Sequence, residues 1–342
     1  MDEPTAALSE LEIGRLLDMV RSLANRGVGV IYVSHKLSEV FGVADRITVL
    51  RDGKHIFTKP RSELTEHDVV TAMVGRELTH TGCPPRHPGE VVLSVRNLSA
   101  GKAVQGVSFD LRAGEVLGLA GLMGSGCLDV VETIFGLREA SGGEVVLLGQ
   151  PVTLKGPRQA IRSGLAYVPD DRKGAGILPD LSVQHNITIG IVERLRRRLL
   201  IDRKQESAIM SEYGGKLSIR YSSPGQFVSD LSGGNQQKVI LARSLAENCR
   251  VLLLAEPTRG VDVGAKQEIY TLIDMLVEQG IAVLLQSSEL PELLRLAERC
   301  IVFAGGKPRG ELSGKQFTQP NVMALATGLD ATQVELATTG RE

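Results

Sequence analysis

Residues 231–262, LSGGNQQKVILARSLAENCRVLLLAEPTRGVD, constrain the fold more than any other stretch. They open with a turn, Ser232, Gly233 and Gly234, that leads into a helical pattern with Val239, Ile240, Leu241 and Leu245 as its apolar positions. They continue through an apolar strand, 251–254, that runs into acidic Glu256 and Pro257. A strand that delivers a carboxylate to the loop at its C-terminal end belongs to phosphate chemistry in an α/β sheet. A Ser-Gly-Gly turn at a helix N-terminus points free N–H groups and the positive end of the dipole outward, as anion binding requires.

These two features, about 20 residues apart, resemble the signature motif and Walker B strand of the ABC-transporter ATPases. The wording LSGGNQQK followed by EPTRGVDVGAK is most similar to the second half of the duplicated sugar-importer ATPases. The resemblance implies a P-loop NTPase (ABC-type) α/β domain with a helical subdomain, using ATP and Mg²⁺. It implies that Ser232, Gly233, Gly234, Asn235 and Gln236 bind nucleotide and that Glu256 is catalytic.

Self-similarity adds a second constraint. Residues 2–5 read DEPT and residues 255–258 read AEPT, an offset of 253. The same offset relates Ser34-His35 to Ser287-Ser288, 44–46 to 297–299, Gly53-Lys54 to Gly306-Lys307, and Gly75 to Gly328. Residues 1–78 are therefore expected to be the C-terminal fragment of a first nucleotide-binding domain, entered within its own Walker B motif. Residues 79–89, THTGCPPRHPG, read as a linker, 90–330 as a second domain and 331–342 as a tail. By the resemblance Asp2 is a Mg²⁺ ligand, Glu3 the catalytic carboxylate, 7–9 a dimer-contact loop and His35 the switch histidine. A first phosphate loop and first signature would lie upstream of Met1, so the chain is expected to be an N-terminally truncated copy. Local patterning predicts a helix over 11–26 and a strand over 28–33 in the first copy. In the second it predicts strands over 91–95 and 281–285, a helix over 265–278 and a helix opening at 286–294 before a hairpin at Gly305-Gly306.

The second copy carries a glycine loop after the apolar strand 115–120: Gly121, Leu122, Met123, Gly124, Ser125, Gly126, then Cys127 and Leu128. Both glycines of the phosphate-loop pattern are in place, and backbone N–H groups at such a turn can cradle phosphates. The lysine for the β/γ-phosphates and the hydroxyl for Mg²⁺ are replaced by Cys127 and Leu128. The metal-binding Asp is lost at Ala255, the switch-histidine position is Ser288, and the Q-loop position is Asp170 where the family has Glu. Residues 97–109 lack the aromatic that many such ATPases stack on adenine. One lost electrostatic contact costs about 10²–10³ in rate, so a site with several altered is expected to hold nucleotide but barely turn it over.

Composition narrows the partners. A net charge of −1, no Trp and 4% aromatic residues argue against a nucleic-acid binder. The basic run Arg194, Arg196, Arg197, Arg198, Arg203 and Lys204 is interleaved with acids and reads as a solvated helical face. The four cysteines, with no C-x-x-C spacing, read as free thiols. No apolar run reaches the roughly 20 residues of a membrane span. The resemblance then implies two membrane permease subunits as partners, head-to-tail pairing with another nucleotide-binding domain, and a periplasmic or extracellular sugar-binding protein acting indirectly. It implies peripheral attachment at the cytoplasmic face of the cell membrane. The competing expectations are an inactive pseudo-ATPase or truncated gene product, and a soluble twin-cassette factor, against which the short Pro/Gly linker argues.

Overall fold

The structure, a computed structural model, describes all residues except 3, 6–9, 35–36, 52, 75–82, 153–154, 198–199 and 329–342. Two compact units emerge: Met1–Thr79 with Asp262–Gln267, and His80–Val261 with Glu268–Glu342.

The second unit is built on a six-stranded sheet. Its strand order is Lys307–Ser313, Arg299–Ala304, Val116–Gly121, Ala282–Gln286, Val251–Ala255, Leu165–Val168. All neighbours are parallel except the hairpin 299–304/307–313 at one edge, whose Gly305 and Gly306 turn at φ 60° and 78°. The central strands VLLLA and AVLLQ are near-continuous apolar runs because a parallel sheet is covered on both faces. A second sheet, antiparallel, is made by Val91–Ala100, Val104–Arg112, Gly142–Leu147 and Gln150–Pro151. The main core joins Leu93, Val95 and Phe109 of this sheet to Val130 and Ile134 of the helix Cys127–Phe135 and to Leu117, Leu119, Leu253 and Leu284 of the parallel sheet. The helices Val183–Thr188, Val192–Leu195 and Arg203–Lys216 form the expected helical part and pack with the helix Gly233–Ala246.

The first unit is smaller: helices Glu10–Asn25, Leu37–Val43 and Glu66–Val74, and a hairpin of Arg46–Arg51 with Lys54–Pro60. Shifting each by 253 lands on an element of the second copy. The first two helices fall on Val263–Glu278 and Leu290–Leu296, and the hairpin strands on Arg299–Ala304 and Lys307–Ser313. Even the register irregularity recurs, between Val49 and Leu50 and between Val302 and Phe303.

Several expectations are corrected. The strand expected over 28–33 does not form; only Val33 makes a bridge, parallel, to Asp2. A strand needs a hydrogen-bonded neighbour along its length, and Ile31 is 80% exposed where its counterpart Leu284 is buried between two strands. The strand expected over 91–95 runs on to Ala100, and the last helix is not at 286–294. There the chain turns into the helix Leu290–Leu296, and a further helix, Gln319–Ala326, follows the hairpin. The linker expected over 79–89 lies partly outside the described residues, and its remainder packs onto the second unit. Cys83 Sγ and Arg86 Nη1 donate to the Leu296 carbonyl at 3.5 and 2.7 Å, and Arg86 pairs with Asp274 at 2.5 Å and Glu298 at 3.2 Å. The basic run is divided: Arg194 donates to the Ala246 carbonyl, Arg203 pairs with Glu206, and Asp202 caps the helix Arg203–Lys216 by accepting from two backbone N–H groups. The tail expected at 331–342 is outside the described residues.

Candidate functional site

Three neighbouring parallel strands end at the same edge of the large sheet. Leu119 stands opposite Gln286, and Gln286 opposite Ala255, so the glycine loop, the turn 286–288 and Glu256 emerge side by side. Such an edge, at the C-terminal ends of the strands, is where an α/β sheet opens to ligands.

The loop is a closed backbone turn. Ser125 N–H donates to Leu122 O at 2.9 Å, Gly306 N–H donates to Ser125 O at 2.9 Å, and Val130 N–H donates to Gly126 O at 3.0 Å as the helix begins. Gly124 and Gly126 take φ of 77° and 99°, which glycine alone adopts without strain. A Cβ on Gly126 would also overlap the Ala103 carbonyl oxygen, and one on Gly121 would meet Ser125 Oγ. Leu122 and Met123 project outward, whereas Ser125, Gly126 and Cys127 are buried. The Cys127 thiol turns inward to accept from Ser125 Oγ at 3.4 Å, and burial pushes it up to about 12. It therefore carries no charge toward a phosphate, and Leu128 brings no hydroxyl.

Glu256 is held on every side. Its backbone sits at φ 47°, unusual for a side chain with a Cβ, and its N–H donates to Gln286 O at 2.9 Å. Its Oε1 accepts from Gln286 Nε2 at 3.0 Å and from Ser288 N–H at 2.8 Å, and its Oε2 from Ser288 Oγ at 3.1 Å. Burial raises its pKa, and the three donors pull the other way. Ala255, directly before it, is fully buried. Asp170 lies after the edge strand Leu165–Val168 and pairs with Arg259 at 3.5 Å.

The signature residues occupy a separate turn. Ser232 precedes the helix Gly233–Ala246, and its Oγ accepts from Asn235 Nδ2 at 2.9 Å, while Asn235 Oδ1 accepts from Arg220 N–H at 2.8 Å. Gln236 is buried and donates to the Val228, Ser229 and Leu231 carbonyls, so it braces the turn from inside. Sequence reasoning missed Arg172, whose guanidinium donates to Arg259 O and Gly260 O and would stand 3.0 Å from a Cβ on Gly233. It also missed Gln286, although the repeat offered a signal: the same position in the first copy is Val33. Asp2 is exposed; Glu3, His35 and 7–9 lie outside the described residues.

The match to known proteins agrees with this geometry. A family model described as "ABC transporter" matches residues 104–259. The xylose import ATP-binding protein of Brucella abortus is 44% identical over 343 residues, covering 97% of this chain and 67% of that protein. The chain belongs to the ABC-transporter ATP-binding family. The ribose import ATP-binding proteins of Rubrobacter xylanophilus and Bacillus subtilis are 48% and 42% identical, each over 96% of this chain and over 64% and 67% of their own lengths. The chain thus spans about two thirds of these curated relatives. Among solved structures, a nucleotide-free ATP-binding cassette from an ABC transporter superposes with a TM-score of 0.58 at 23% identity, over 72% of this chain and 99% of that one. That likeness shows the P-loop α/β cassette fold.

For such a cassette the turn 121–126 fits nucleotide phosphates, because it stands at the N-terminus of the helix Cys127–Phe135, where backbone N–H groups and the dipole favour an anion. The residues do not fit Mg²⁺ as the resemblance implies. The Asp position is the buried methyl of Ala255, Leu128 has no hydroxyl, Ser125 Oγ faces Cys127, and both Glu256 oxygens are already hydrogen-bonded.

Proposed function

We propose that this chain is part of the ATP-binding subunit of a sugar ABC importer. Its first unit is the C-terminal portion of one cassette, and its second unit is a cassette that binds ATP and hydrolyses it slowly. The observation that carries this reading is the shared strand edge of the Gly121–Gly126 loop and Glu256. The element-by-element recurrence at an offset of 253 supports the duplicated organisation, and the printed names of the relatives support sugar import. In this reading ATP bound between two cassettes paired head to tail drives two membrane permease subunits from the cytoplasmic face, with sugar delivered by a separate binding protein. Asp2, Glu3 and His35 serve the first cassette, and Ser232, Gly233, Gly234 and Asn235 form the signature turn of the second. Asp170 and Ser288 flank the loop site.

The test is equilibrium ATP binding and phosphate release by the purified chain. The expected result is measurable binding with turnover lowered by about 10² or more relative to an intact cassette pair. Fast Mg²⁺-dependent hydrolysis that Glu256→Gln removes overturns the slow-site reading, and absence of ATP binding overturns the whole. A second reading, a site that holds nucleotide without ever hydrolysing it, is favoured by Ala255 and Leu128. It expects Glu256→Gln to leave phosphate release unchanged.

A further inference from the structure

The two copies differ at one cross-strand pair. In the first unit Asp2 bridges Val33 in parallel; in the second the same register joins Ala255 to Gln286. Both partners are displaced by 253, so the pair Asp/Val has become Ala/Gln. Residues opposite each other on adjacent strands share a face of the sheet, so each copy keeps one polar side chain there. The polar group has crossed to the neighbouring strand and changed from an anion to a neutral amide.

The amide is placed for a purpose that packing does not explain. Its Nε2 donates to Glu256 Oε1 at 3.0 Å. The flipped orientation would set an amide oxygen against a carboxylate oxygen, so the assignment is fixed by chemistry. Its Oε1 is buried and has no hydrogen-bond partner in the protein. A buried acceptor left in this way is costly unless a donor reaches it. An Asp at position 255 would stand next to Glu256 and put two anions at one strand edge, which a divalent cation must balance. With Ala255 and a neutral Gln286 instead, one negative charge and its demand for a cation are gone.

We propose that Gln286 is a positioning residue that substitutes for the missing Asp: Nε2 fixes the Glu256 carboxylate, and nucleotide binding at this site is freed from its requirement for Mg²⁺. The proposal rests on the reading of 121–126 as a nucleotide site.

The experiment titrates ATP into the full chain in Mg²⁺ and in EDTA, for wild type, Gln286→Val, Ala255→Asp and Ala255→Asp/Gln286→Val, with thermal unfolding as a check on folding. Wild-type affinity is expected to differ less than about threefold between the two conditions, whereas the double variant, which restores the first copy's pair, gains about tenfold or more in Mg²⁺ dependence. Gln286→Val alone is expected to weaken binding in EDTA by about tenfold, the scale of one lost hydrogen bond to a charged group. A purely structural role for Gln286 would change unfolding without changing the Mg²⁺ dependence. Strong Mg²⁺ dependence in wild type, or a Gln286→Val variant that binds as wild type in both conditions, overturns the proposal. Unfolding of Gln286→Val, Glu256→Gln and their double variant needs no nucleotide. An additive cycle there overturns the proposal even if ATP binds, whereas a coupled cycle with no ATP binding overturns the nucleotide reading and, with it, the Mg²⁺ claim.

Discussion

Thr258 donates its hydroxyl hydrogen to Glu292 Oε1 at 2.8 Å, in a fully buried contact between the loop after one strand and the helix Leu290–Leu296. The same bond at the same length joins Thr5 to Glu39, 253 positions earlier, also buried. Removing the hydroxyl takes one of the donors from a buried carboxylate, so Thr258→Val is expected to cost about 1–2 kcal/mol. Urea unfolding of the variant against wild type checks this, and an unchanged midpoint would show that Glu292 finds another donor.

Gly126→Ala tests the phosphate loop. The new methyl meets the Ala103 carbonyl oxygen, and the backbone at φ 99° resists any side chain. Loss of ATP binding is expected, with destabilisation of more than about 1 kcal/mol. Gly124→Ala is the control, because nothing stands within 4 Å of its Cβ. It is expected to cost only the strain of a positive φ, about 1 kcal/mol.

Arg86 ties residues 83–89 to the second unit by pairing with both Asp274 and Glu298, with its side chain only 5% exposed. Arg86→Ala takes the cation from the partly buried Glu298 carboxylate and leaves Asp274 with Arg295 alone, at 2.7 Å. The expected loss is about 3–5 kcal/mol, the range for breaking a buried pair, measured by chemical denaturation. Raising the salt concentration is expected to leave most of this loss in place, since buried pairs are little screened.

Burial raises the Glu247 carboxyl to about 7, and Arg243 opposes the shift only in part. A carboxyl whose pKa is raised by folding holds its proton better in the folded state. Its contribution is complete below the unfolded value of 4.5 and is lost as pH rises toward about 7. Glu247→Gln is therefore expected to flatten the fall in stability over that interval, read from melting curves at stepped pH. A wild-type profile that rises across the interval would contradict this.

Burial pushes the Cys127 and Cys249 thiols to about 12 and that of Cys300 higher still, while half-buried Cys83 reaches about 11. Thiolates are the reactive form, so iodoacetamide at pH 8 is expected to label the native chain at least about tenfold more slowly than a free cysteine. Cys83 is expected to react first by mass spectrometry, and Cys127 only on unfolding.

Much of the site was legible because its parts are short and local. The glycines of 121–126 and 232–234 announce turns by their backbone freedom, and the apolar run before Glu256 announces a buried strand. Helices were legible for the same reason: the expected 11–26 and 265–278 fall within two residues of Glu10–Asn25 and Val263–Glu278, since their hydrogen bonds close within the segment. The strand expected over 28–33 failed because local composition says nothing about whether a neighbour is present to complete the ladder. The final helix Gln319–Ala326 escaped notice because its short run QPNVMALA lacks a clear apolar period.

The sequence alone determined the α/β class, the 253-residue offset and the glycine loop, which follow from residue type and spacing, while its resemblance to the family implied the losses at Cys127, Leu128 and Ala255. Only the tertiary structure decided that Gln286 and Ser288 grip both oxygens of Glu256, that Cys127 turns inward, and that Gln236 braces the signature turn from behind. Those contacts join residues brought together by strand register and helix packing. A hydrogen bond formed across about 30 residues of chain depends on where two backbones meet, which no local pattern carries.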